Sequence, residues 1–168
     1  PEDEWGLGNQ SREDAAEAFS ADRLEGSARV FRRPGSSIFV GPVFTFQDVS
    51  RVRPAPRSRL VRGELPGSLG GLSLGVGGGV RWDDRKRPLT PAAGEAFAQV
   101  TQLGFSPVWG SDHRFGRTDL DARAFVGLGP VLLALRGRLV LHTGAPPFRM
   151  LALLGGEDTV RSYTLGRY

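Results

Sequence analysis

The chain has 168 residues, 39% of them hydrophobic, which is enough for one domain with a core or for roughly six to eight membrane strands. Cysteine is absent, so a disulfide scaffold and a thiolate zinc site are both excluded. The formal net charge of +4 comes from Lys and Arg dispersed beside Asp and Glu rather than gathered with aromatics on one face, and no nucleic-acid partner is expected.

Gly and Pro are abundant without a collagen-like period, yet Phe, Leu, Val and Trp recur in ordered patterns that argue against disorder. The longest strongly apolar run, 131–135, is far too short for a membrane-spanning helix. A barrel strand needs only about ten residues with every second one apolar, so the membrane stays open as a location. Pro1 reads as a boundary left by processing or truncation.

Residues 1–20 are acidic, polar and turn-rich and predict a loop, with at most a short helix over 14–19 whose apolar face is thin. From Arg23 the period becomes two: Leu24, Gly26, Ala28 and Val30 face one way, Arg23, Glu25, Ser27 and Arg29 the other. After Arg33-Pro34-Gly35 the alternation resumes. Ile38, Val40, Pro42, Phe44 and Phe46 share a face opposite Val43, Thr45 and Gln47, which predicts a hairpin about the Pro-Gly turn. Pro42 counts against that reading, because it has no amide proton to give the ladder.

Residues 50–70, rich in Arg and Pro, predict a long connection with room for a short extra strand at 59–62. The cleanest strand is 72–82, with Leu72, Leu74, Val76, Val80 and Trp82 on one side and Ser73, Gly75, Gly77, Gly79 and Arg81 on the other. A polar turn over 83–88 leads to a weaker strand at 95–105 and a loop carrying Pro107 and Gly110.

The last hairpin is the most informative. Leu120, Ala122, Ala124 and Val126 alternate with Asp119, Asp121, Arg123 and Phe125, and after residues 127–130 the next strand puts Val131, Leu133, Leu135, Leu139 and Leu141 on one face and Arg136, Arg138 and His142 on the other. Pairing Val126 with Val131 would set Asp121 opposite Arg136 and Asp119 opposite Arg138. A soluble sandwich or small barrel would hide the apolar face, whereas a membrane barrel turns it to lipid and its charges to a polar lumen. Periodicity is the same in both; the Gly-rich and charged character of the opposite face favours the membrane barrel.

His113 and His142 are too few for a metal site, and Asp83, Asp84, Arg85 and Asp158 read as turn-capping and surface charges. The Gly-rich runs lack the strand–loop–helix context of a phosphate cradle. No nucleophilic Ser/His/Asp set is expected, so neither an enzyme nor a cofactor is predicted. Asp119, Asp121, Arg123, Arg136 and Arg138 read as compensating luminal charges rather than a catalytic cluster, and Leu72, Leu74, Val76, Val80, Trp82, Leu133, Leu135, Leu139 and Leu141 as the lipid-facing set, with Trp82 as an interfacial residue.

Three segments, in order along the chain, carry a resemblance. Residues 148–168 contain Gly155-Gly156, then Val160-Arg161-Ser162-Tyr163; residues 82–94 read WDDRKRPLTPAAG; residues 5–9 read WGLGN. Together they resemble the "LGG…VRGY/F" signature, the "D(D/T)RDxPxxPxxG" turn and the "YGIGN" segment of the BamA/TamA-like bacterial surface-antigen superfamily.

The resemblance implies about six strands of a larger antiparallel transmembrane barrel of about sixteen, in the bacterial outer membrane. It implies one barrel domain over 1–168 without a periplasmic POTRA domain. The signature loop would fold back into the barrel, with Arg161 in the lumen. Its rigid five-donor fork suits such a role, while Ser162 replaces the usual Gly. The implied activity of the complete protein is insertion or secretion of polypeptides, with outer-membrane lipids, client polypeptides and other assembly subunits as partners. A passive barrel anchor or pore, and a soluble β-barrel binding module, are the alternatives.

Overall fold

The computed structural model describes residues 2–4, 17–54 and 66–151. These form one antiparallel sheet of seven strands whose spatial order follows the sequence, curled into about half a barrel. The strands are β1 (Glu2–Glu4), β2 (Glu17–Arg29), β3 (Ile38–Pro54), β4 (Gly71–Asp83), β5 (Ala96–Phe105), β6 (Phe115–Leu128) and β7 (Val131–Gly144). No α-helix occurs among the described residues; two single turns of 3-10 helix, Pro107–Trp109 and Phe148–Met150, follow β5 and β7.

The first strands begin earlier than expected. Glu2–Glu4 pairs with residues 17–19, where a loop or short helix was predicted, and β2 starts at Glu17 rather than Arg23. Glu2–Glu4 is wholly acidic and residues 17–22, EAFSAD, carry no apolar alternation, so only the pairing defines them. Between Ser20 and Asp22 the register shifts, because β3 carries one extra residue at Arg51–Val52, with Arg51 at φ 49°; Ala21 packs against Phe148. β3 likewise runs to Pro54, into the stretch predicted as a connection; the candidate strand at 59–62 lies outside the described residues.

Pro42 sits inside β3 at small cost. Its carbonyl accepts from the Val30 amide at 3.1 Å, so its missing N–H points toward β2 just beyond that strand's last residue. Beside it, the Val30 carbonyl occupies the space a Cβ would need at Gly41, which only glycine permits. Pairing then continues through an Arg32↔Val40 bridge, and the Arg33 side chain donates to the Gly35 and Ser36 carbonyls of the turn.

The β6–β7 hairpin differs from its predicted register by two residues. Leu128 pairs with Val131, Asp121 with Arg138, and Arg123 with Arg136. The turn is the two residues Gly129-Pro130, with Gly129 at φ 62°, and not the four residues 127–130. A tight hairpin wants positive φ at its first central position, and Gly supplies it. Because the shift is even, every side chain keeps its face.

On the convex face stand the even-numbered residues of β2, of β3 up to Ser50 and of β4 to β6, and the odd-numbered ones of β7. Val80, Leu135 and Leu141 there are 53%, 51% and 53% exposed. The concave face holds a small apolar cluster of Val43, Leu103, Phe105, Phe115 and Met150, with Phe105 and Phe115 stacked at 4.0 Å. Met150 arrives from the segment after β7, which turns back across the concave side: Phe148 donates its amide to Pro66 at 2.9 Å and packs on Ala21 of β2. β7 forms one border of the described sheet, with no described strand on its outer side.

Candidate functional site on the concave face

The concave face encloses a trough of about 440 Å³ bordered by β2, β3, β5, β6, β7 and Met150. Its walls carry Arg29, Arg117, Asp119, Asp121, Arg136 and Arg138, and its floor Thr45, Gln99 and Thr101. Strand alternation produces this polarity, since Arg117, Asp119, Asp121 and Arg123 occupy alternate positions of β6 and Arg136 and Arg138 of β7, while their neighbours point to the convex side.

The carboxylates of the wall are all engaged. Asp119 takes two bonds from Arg117, at 2.8 and 2.9 Å, along its own strand. Asp121 is shared: Arg123 donates at 2.8 Å from the same strand, and Arg136 at 3.2 Å from β7. Arg138 stands opposite Asp121 in the ladder, yet the carboxylate's bonds go to Arg123 and to Arg136, which lies diagonally across. Fork-shaped guanidinium groups reach such diagonal acceptors readily.

At the end of the trough that bears the β2–β3, β4–β5 and β6–β7 turns, Phe97 is ringed by three guanidinium groups. Arg85 lies 4.6 Å, Arg123 5.3 Å and Arg81 5.9 Å from its ring centre. Arg81 also lies 4.8 Å from Phe31 and bonds Gln99 at 2.8 Å. The negative ring face accommodates several cations in a small space where carboxylates alone would not suffice.

The 84–95 connection is held by its acidic residues. Asp83 grips Arg85 through two side-chain bonds of 2.8 and 2.9 Å, and this pairing makes Arg85 hold its proton more firmly than an isolated guanidinium. Asp84 accepts the Ala96 amide at 2.6 Å. Glu95 accepts the Ala92 and Lys86 amides, which hold its carboxyl below the usual range. Asp83, Asp84 and Arg85 therefore cap a turn, and no cluster of metal-ligating residues occurs among the described residues.

At the opposite end the loop after β5 completes β4. Asp112 binds both backbone groups of Leu72, and the Trp109 indole donates to the Leu74 carbonyl at 3.1 Å. His113 lies in this loop and His142 on the concave side of β7 beside Phe115, 6.4 Å between ring centres.

The predicted charge set Asp119, Asp121, Arg123, Arg136 and Arg138 is thus brought together on the concave face. Leu72, Leu74, Val76, Val80, Trp82, Leu133, Leu135, Leu139 and Leu141 are brought together on the convex face. Gly155, Gly156, Val160, Arg161, Ser162 and Tyr163 lie outside the described residues, as do residues 5–9 and Asp158.

Sequence reasoning missed Phe97 and its guanidinium ring, Arg117, Met150 and the Asp112 contact. The alternation of 95–105 carried the signal for Phe97, and extending the β6 pattern back to Phe115 would have found Arg117. It also missed that residues 71–75, GLSLG, spell G-x-S-x-G. These residues run inside strand β4 with no following helix, so they form no nucleophile elbow. No family model, curated protein or solved structure matches the chain.

Proposed function

We propose that this chain is a section of a larger outer-membrane β-barrel, its convex face against lipid and its concave face bordering water. The observation that carries this reading is the inverted segregation of the sheet. Large apolar side chains of six strands stand exposed on the convex side, while arginines and aspartates line the hollow. A soluble monomer seldom leaves a contiguous apolar patch of more than about 300–600 Å². Dimensions agree: from Val131 to Leu141 the apolar row of β7 spans ten steps, about 33 Å along a strand, or about 25 Å of bilayer at a tilt of about 40°.

Within this reading the protein is a barrel of the BamA/TamA-like superfamily in the bacterial outer membrane, and the complete protein inserts or secretes polypeptides without covalent chemistry. Support comes from the 82–94 turn, where Asp83, Asp84 and Arg85 of the family-like segment knit the connection together. It comes also from the segment after β7, which re-enters the concave side at Phe148–Met150, as the resemblance implies for the start of the signature loop.

The absence of cysteine makes a direct test simple. Single cysteines at Leu135 and Arg136 should report opposite environments in proteoliposomes: a nitroxide at 135 relaxed by lipid-soluble oxygen, one at 136 by a water-soluble nickel chelate. Equal access of the chelate to both sites would refute the membrane reading. Reconstitution of the complete protein, with client insertion assayed against ion conductance alone, separates an insertase from a passive pore.

A further inference from the structure

We propose that the rim formed by the β2–β3 and β4–β5 turns is a docking surface for the anionic headgroups of bilayer phospholipids. This rests on the membrane reading above and names a lipid class within it. The two turns are adjacent, joined by the Asp83 amide donating to the Ser37 carbonyl at 2.8 Å. Their exposed tips carry Arg32, Arg33, Lys86 and Arg87.

Acidic residues are present at this rim too, but Arg32, Arg33, Arg85, Lys86 and Arg87 outnumber Asp83, Asp84 and Glu95, and each of these carboxylates is engaged by groups of its own connection. Asp83 is held by Arg85, Asp84 by the Ala96 amide, and Glu95 by the Lys86 and Ala92 amides. Among the described residues Arg32, Lys86 and Arg87 have no ion-pair partner, and Arg33 bonds only carbonyls of its own turn and the Phe39 ring.

The positive tips lie directly beyond the convex apolar face. Ile38 pairs with Trp82 across β3 and β4, and the two are 48% and 42% exposed on that face. An exposed indole at the edge of an apolar band, followed by an excess of cations, matches the sequence of layers met on leaving a bilayer: hydrocarbon, interface, then headgroup phosphate. The opposite rim differs. Among its described residues Asp22, Asp48 and Asp112 balance Arg51, Arg53 and Arg114, and Asp22 pairs with Arg51 at 3.1 Å. Among the described residues the excess of positive charge therefore lies at the rim nearest Trp82.

The test uses the complete protein diluted from urea into phosphatidylcholine vesicles with or without phosphatidylglycerol, with binding read by co-flotation. The expected result is roughly tenfold tighter association with the phosphatidylglycerol vesicles, lost in high salt. The Arg32→Glu/Lys86→Glu/Arg87→Glu variant should abolish that preference, while Arg51→Glu/Arg53→Glu/Arg114→Glu, with the same change in net charge, should retain it.

Equal binding to both vesicles, or equal loss in both variants, overturns the rim proposal and leaves the membrane reading intact. Displacement by inorganic phosphate at matched ionic strength overturns it in favour of a free-anion site. Failure to bind either vesicle overturns the membrane reading and this proposal with it.

Discussion

Asp112 takes the place of a strand beside Leu72: its carboxylate accepts the Leu72 amide at 2.7 Å while its own amide donates to the Leu72 carbonyl at 2.8 Å. β5 pairs with β4 only from Gly75 onward, so residues 71–74 would otherwise present bare backbone on that side. Unpaired backbone groups are costly wherever water is scarce. The Asp112→Ala variant should lose about 1 kcal/mol in urea unfolding in micelles, with Asp112→Asn recovering part of it. An unchanged midpoint for Asp112→Ala would show that solvent satisfies Leu72 equally well.

Phe97 separates ring electrostatics from bulk. Replacement by Leu keeps most of the buried volume but removes the π face shared by Arg81, Arg85 and Arg123, and should cost about 1 kcal/mol. Replacement by Ala adds a cavity and should cost about 3 kcal/mol. Equal losses in the two variants, measured by denaturant titration, would assign the whole effect to packing.

Two strand glycines should respond oppositely to valine. A Cβ at Gly75 would meet the Phe105 ring at 2.5 Å and Thr45 Cγ2 at 2.8 Å, so Gly75→Val should destabilise by about 2 kcal/mol. At Gly137 nothing lies within 4 Å, and Gly137→Val should be neutral or stabilising. Thermal unfolding of the pair in one detergent checks the contrast.

The 84–95 turn should loosen in acid. Because the folded-state pKa of Glu95 is depressed by the amides of Ala92 and Lys86, the folded form binds fewer protons than the unfolded one across the interval between the two values. The stabilisation is present above the ordinary Glu value of about 4.3 and fades as pH falls through the folded value. Amide exchange at Lys86 and Ala92 should accelerate there beyond its intrinsic trend, and Glu95→Gln should abolish the acceleration.

Much of the sheet was legible because alternation survives errors of register. The apolar and charged sets of the last hairpin could be sorted before its turn was known, and a two-residue slip left them sorted. The register itself depended on whether Gly127 or Gly129 turned the chain, and dihedral angles are invisible to hydropathy. Glu2–Glu4 escaped because an acidic strand has no amphipathic trace, and residues 17–21 because their apolar residues do not alternate. Phe97 escaped as a site because its guanidinium partners come from β4, the following turn and β6, and only pairing brings them together. Met150 lies in a single 3-10 turn too short to show any period.

The two borders of the sheet are chemically unlike. Among the described residues the margin along β1 and β2 carries more acidic than basic residues, whereas β7 offers fourteen residues without proline, lysine or bulge. Strand margins of the second kind template the addition of another chain; those of the first kind resist it. Of the two described borders, Val131–Gly144 is the one whose backbone is better suited to receive a further strand.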